Sequence, residues 1–178
     1  ELATFLREPW LLPLYNKEET CKFLYSTVTK GKDIIPALIG EIFSEEERER
    51  TRTYDALISL IGSGIWNMKE LVNILYSRQL LKQPSQTHLA QYIKNLETMS
   101  IIENIRIYKA HGNYYRHISP IANVYYYLDS RYDITNRDIT FSEVKPTIEK
   151  LFTIEIQHFI ADLFAELYEG RKEYFISP

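Results

Sequence analysis

The chain has 178 residues, with 21 Lys/Arg against 24 Asp/Glu, a net charge of −3, one Cys and six Gly. Its 45% hydrophobic content suffices for the core of one ordinary domain or two small ones. The single cysteine excludes a disulfide framework and any multi-cysteine zinc site, and the few glycines leave little for a phosphate-cradling loop.

The longest uncharged run, Ala56 to Met68, is too short for a membrane span and contains Gly62 and Gly64. No basic and apolar leader opens the chain, so a cytoplasmic protein without a membrane partner is expected. Glu1 in place of Met suggests an excised or trimmed piece. Charge is uneven along the chain. Residues 1–77 carry −3, residues 78–117 carry 6 Lys/Arg against 2 Asp/Glu, and residues 118–178 carry 6 against 10. The basic middle invites a nucleic-acid reading of that part alone, against ordinary charge scatter.

Residues 1–43 hold short apolar runs punctuated by Pro9, Pro13, Gly31 and Pro36. They predict two or three helical pieces, including a stripe at Ile35, Leu38, Ile39 and Ile42. This segment, lid-like in one reading, packs on the rest of the chain or on a neighbour. Ser44-Glu45-Glu46-Glu47 is a capping box. The helix it opens runs through Tyr54, Leu57, Ile58 and Ile61 to a glycine stop at Gly62-Ser63-Gly64. Asn67 caps a second helix, with Leu71, Ile74 and Leu75 on one face. After Gln83-Pro84, Ser85 caps a third, which buries Leu89, Ile93 and Leu96.

From Ile101 the period becomes two, with Ile105 and Ile107 inward and Arg106 and Tyr108 between them. Ala110-His111-Gly112-Asn113 is a turn, and Tyr114 to Ile118 the returning strand. Ile121 to Leu128 predicts a helix, Arg131 to Thr140 a loop, and Thr147 to Leu167 a long amphipathic helix ended by Gly170. Its buried set is Leu151, Phe152, Ile156, Phe159, Ile160, Leu163, Phe164 and Leu167, with Glu155, Asp162, Glu166 and Glu169 on a solvated stripe opposite. Three helices and a hairpin in this order are the order of a winged helix-turn-helix. The fold is therefore read as mainly α with a small β-hairpin wing: a helical segment over 1–43, the winged helix over 44–119 and a helical extension over 120–178.

The stretches Tyr54-Asp-Ala-Leu-Ile-Ser-Leu-Ile-Gly62, Asn67-Met-Lys-Glu-Leu-Val72, Ser85 to Leu96 and Ile101-Ile-Glu103 carry that pattern. Tyr115-Arg116-His117-Ile118-Ser119-Pro120 then matches a Tyr-Arg-x-Ile-Ser-Asp-Pro element, without its Asp. Over roughly residues 35 to 165, the element order resembles the C-terminal part of the archaeal AAA-type ATPase family. There a winged helix follows the ATPase lid and leads into a nuclease-like domain. The resemblance implies that ATP and Mg²⁺ belong to an N-terminal part outside this sequence. Gly31-Lys32 is the only Gly-Lys pair, with Ser26 where a P-loop has its first glycine, so no phosphate loop forms here. Glu155 falls near the first nuclease carboxylate, but no later Asp and Glu-x-Lys constellation follows. Ser100 stands where the family places a turn glycine.

For DNA, Gln86, Thr87, Gln91 and Lys94 form the outward set of the third helix. Gln pairs with an adenine edge and Thr meets a thymine methyl. Lys82, Arg106, Lys109 and Arg116 are candidates for phosphate contacts, with His111 and Gly112 at the wing tip. Against this, few cations on the helix also suit a module that binds protein or braces its neighbours. His88, His111, His117 and His158 contain no H-x-x-x-H pair, so no metal site is expected. No nucleophile motif surrounds Cys21, and no catalytic residue is assigned. Consecutive Tyr125, Tyr126 and Tyr127 imply that one ring faces solvent or a partner.

The leading expectation is a DNA-binding or regulatory module from a larger ATPase. Its partners would be double-stranded DNA and the missing ATPase domain. One alternative is a free-standing winged-helix regulator that pairs with a second copy through Ile156, Phe159, Leu163 and Leu167. The other is a protein-interaction scaffold.

Overall fold

A computed structural model describes residues 3–15, 17–40 and 48–175, without side chains at 38–40 and 48–50. The protein is mainly helical with a small sheet. In chain order it has α1 (Ala3–Leu6), a 3₁₀ turn (Pro9–Leu14), α2 (Thr20–Lys30), α3 (Ile34–Gly40), α4 (Arg48–Gly62), α5 (Met68–Ser77) and α6 (Gln86–Thr98). Strands β1 (Ile102–Ile107) and β2 (Asn113–His117), helices α7 (Pro120–Tyr132) and α8 (Phe141–Leu167), and β3 (Glu173–Tyr174) complete it. The Ser44 capping box lies outside the described residues, as do the side chains of Leu38, Ile39 and Ile42.

The chain forms two compact units, one of residues 1–35 with 119–172 and the other of 36–118 with 173–178. The first unit therefore joins segments that are distant in sequence. Phe5, Leu11, Phe23, Leu24 and Val28 share one core with Ile121, Val124, Leu128, Val144 and Ile148. The N-terminal segment is thus part of a core with α7 and α8. Glu8 fixes part of this arrangement. Its carboxylate accepts from Ser119 Oγ at 2.9 Å and from Trp10 Nε1 at 3.1 Å, at the entry to α7, where a negative charge suits the helix dipole. Burial raises the Glu8 pKa above the ordinary carboxylate value.

Tyr125 is buried, and its hydroxyl donates to Lys32 O at 3.1 Å. Tyr126 and Tyr127 are half-buried against the same core, so the Tyr triplet presents no fully solvated ring. Helix α8 begins at Phe141, six residues before the expected start. Glu143 Oε2 accepts from Thr140 N at 2.7 Å, and Pro146 is accommodated within the helix. The loop before it accordingly begins after Tyr132.

In the second unit, α4, α5 and α6 each end in the same hydrogen-bonded turn. Ile65 N donates to Leu60 O, Leu80 N to Leu75 O, and Ile101 N to Leu96 O, at 3.0, 2.9 and 3.0 Å. Such turns need one left-handed residue after the cap, here Gly64 (φ 96°), Gln79 (φ 59°) and Ser100 (φ 57°). Only the first uses glycine. Ser100→Gly relieves the left-handed cost against some loss of unfolded-state stiffness, and should stabilise the protein by about 0.5–1 kcal/mol in urea unfolding. In the first unit α8 closes likewise at Glu169 (φ 50°), one residue before the expected Gly170.

β1 pairs antiparallel with β2, with Glu103 opposite Arg116 and Ile105 opposite Tyr114. β3 adds in parallel on the other side of β1, with Ile107 opposite Tyr174. Glu173 and Tyr174 thus belong to this sheet, whereas the sequence placed them in the C-terminal extension. Tyr114 and Tyr174 stack at 3.9 Å between centroids and 3° between planes, and Trp66 flanks both.

Candidate nucleic-acid interface

Helix α6 is built to present one polar face. Ser85 Oγ accepts from His88 N at 3.3 Å and fixes the helix start. Leu89, Ile93 and Leu96 turn inward and are buried. Helical spacing then places Thr87, Gln91 and Lys94 on the opposite side and Gln86 beside the buried stripe in the first turn, and all four are exposed.

Beside this face lies an open depression of about 390 Å³, lined by Tyr54, His88, Gln91, Tyr92 and Asn95. Tyr54 meets Tyr92 edge-on at 5.0 Å, and His88 stacks on Tyr92 at 5.9 Å. A chain of amides runs along its floor. Gln91 Nε2 donates to Asn95 Oδ1 at 2.9 Å, and Asn95 Nδ2 donates to the Tyr54 hydroxyl at 2.6 Å. Gln91 is thereby oriented by one of its N–H groups. The sequence reading named Gln91 but not the residues that aim it. The i, i+4 spacing of Gln91 and Asn95 was the available signal. The long-range hydrogen bond to Tyr54 had none.

Among the remaining candidates, Lys82, Arg106 and Lys109 are exposed. Lys109 sits in the turn between β1 and β2, 5.0 Å above the Tyr108 ring. His111 and Gly112 lie at the same turn, where Gly112 has φ 121°. Arg116 is different, and its burial removes it from the expected phosphate contacts. Its residue is 2% exposed, and Nη1 donates to Glu103 Oε1 at 3.0 Å. The register explains this. Arg116 shares the sheet face of Ile105 and Ile107, which is buried, whereas Arg106 projects from the other face.

His117 is fully buried, with Nε2 donating to Ile58 O at 2.9 Å. Burial lowers its pKa to about 4. Cys21 is buried as a free thiol. Among the described residues, no group of three His, Cys, Asp or Glu side chains is arranged to hold a metal ion, and no helix is long and apolar enough to cross a membrane.

The C-terminal helix departs most from expectation. Glu155 is buried, and Asp162 pairs with Arg7 at 3.8 Å and with Lys172, so only Glu166 and Glu169 of the acidic stripe are exposed. Of the residues expected to be buried, Ile156 and Phe159 are half-buried. Ile160, Leu163, Phe164 and Leu167 are exposed instead. No protein-family model, curated protein or solved structure matches the chain.

Proposed function

We propose that this protein is a cytoplasmic DNA-contacting module of the winged-helix type, with α6 entering the major groove. The observation that carries the reading is the exposed polar face of Thr87, Gln91 and Lys94, flanked by exposed Gln86, with Gln91 held in place by Asn95. Lys82, Lys94, Arg106 and Lys109 would neutralise phosphates and set the register on the duplex. Gln91 would accept from and donate to an adenine edge, and Thr87 would meet a thymine methyl. The basic balance of residues 78–117, 6 Lys/Arg against 2 Asp/Glu, supports the reading, because a cationic segment attracts the phosphate backbone.

In a protein of the resembling ATPase class, this module would place DNA beside an ATP- and Mg²⁺-dependent domain carried elsewhere. A Walker A motif in the reading frame upstream of Glu1 would support that extension, and a start codon immediately before Glu1 would remove it.

The test is fluorescence anisotropy with a labelled mixed-sequence duplex at two salt concentrations. Four phosphate contacts give a log–log salt slope of about −3.6, and Lys94→Ala should reduce its magnitude by about 0.9. Gln91→Ala, Lys94→Ala and Arg106→Ala combined should weaken binding roughly tenfold or more. Unchanged affinity in that triple variant sinks the groove model.

A further inference from the structure

The last three turns of α8 have their polarity reversed. The helix packs into the first unit through Val144, Ile148, Leu151 and Glu155, all buried. Helical spacing places Asp162 on that same side, where it pairs with Arg7 and Lys172. Ile160, Leu163, Phe164, Leu167 and Tyr168 occupy the opposite side and are 45 to 71% exposed. Their spacing of i, i+3, i+4, i+7 and i+8 makes one continuous apolar stripe. Phe164 and Tyr168 stack at 6.0 Å, which holds the stripe as a single surface.

We infer that a second copy of this chain docks on this stripe, pairing α8 with its symmetry mate. The area argument favours self-association. Five large side chains at these exposures present roughly 500 Å², near the upper end for an isolated monomer. Two such faces bury roughly 1,000 Å² together, the lower bound for a specific interface. The stripe carries no charge, so two copies meet without repulsion across a two-fold axis. A lipid surface fits less well, because residues 118–178 carry 10 acidic against 6 basic groups. The seam is therefore shifted from the sequence-expected Ile156, Phe159, Leu163 and Leu167, keeping only the last two.

Sedimentation velocity on the full chain from 1 to 100 μM tests this. The wild type should be a dimer with a Kd below about 50 μM. Leu163→Glu and Leu167→Glu should each weaken it at least 30-fold while leaving the far-UV spectrum unchanged, since both positions are exposed. Glu149→Ala, on the exposed surface four turns earlier, should leave the Kd unchanged. A monomer throughout the range overturns the inference, as does a dimer that survives both glutamates. Wild-type co-sedimentation with phosphatidylglycerol vesicles that Leu167→Glu abolishes would assign the face to lipid and equally overturn it.

Discussion

Arg116→Ala should cost about 3 kcal/mol of unfolding free energy, at the lower end of the range for breaking a buried ion pair. The guanidinium is almost wholly inside the second unit, donating to Glu103 across the β1–β2 ladder. Truncation leaves the Glu103 carboxylate without that donor on a face shared with Ile105 and Ile107. Glu103 is partly exposed and retains some hydration, which keeps the loss from being larger. Replacing both partners with apolar residues, as in Arg116→Met with Glu103→Leu, should recover most of it, because no charge is then stranded. Urea unfolding measures both variants. DNA affinity supplies the complementary test: at temperatures where Arg116→Ala is fully folded, its affinity and salt slope should match the wild type, whereas Arg106→Ala should lower both. Loss of affinity in folded Arg116→Ala would return Arg116 to the phosphate-binding set.

Acidification from pH 6.5 to 4 should remove about 3 kcal/mol of stability through His117 alone. Its folded pKa of about 4 lies below the 6.5 of a solvated histidine, because burial disfavours the charged ring. Between those values the unfolded chain binds a proton that the folded chain does not. Unfolding free energy therefore rises with pH across this window, and the neutral ring's full contribution is present above pH 6.5. Glu8 and Asp55, whose pKa values burial raises, act in the opposite direction over the lower part of the window. The diagnostic is thus the difference between wild type and His117→Gln, whose amide still donates to Ile58 O. That difference should grow as pH rises from 4 to 6.5 and be flat above 7. A constant difference across the range would show that His117 does not titrate with folding.

The secondary structure of the second unit was largely legible, because its signals are local. Asn67 accepts from Lys69 N and Glu70 N, and Ser85 from His88 N, as their positions before apolar-periodic stretches implied. The period-two stretch after Ile101 became β1, with Ile105 and Ile107 inward and Arg106 outward. The exposure of Thr87, Gln91 and Lys94 on α6 followed from helical periodicity, whereas Gln86 is exposed as a first-turn residue.

What failed were statements about which side of an element meets another element. Arg116 was expected to reach phosphate from the returning strand, but Tyr115, Arg116 and His117 are all buried, so alternation carries no information at that end of β2. In α8, apolar residues occur on more than one side, so counting them did not reveal which side would be covered. The packing of α2 and α7 covers Val144, Ile148 and Leu151 and leaves Leu163 and Leu167 in solvent. Neither the return of residues 173–174 to β1 nor the aiming of Gln91 through Asn95 to Tyr54 had a local cue.

The opening composition excluded a disulfide scaffold and a phosphate loop, and hydrophobic and capping patterns determined most helices and the hairpin, because those depend on residues within a few positions of one another. Tertiary structure alone decided which cations remain in water and which apolar stripe lacks a cover. Burial is set by contacts between segments as far apart as Phe5 and Phe152, stacked at 5.9 Å, and no window along the chain contains both.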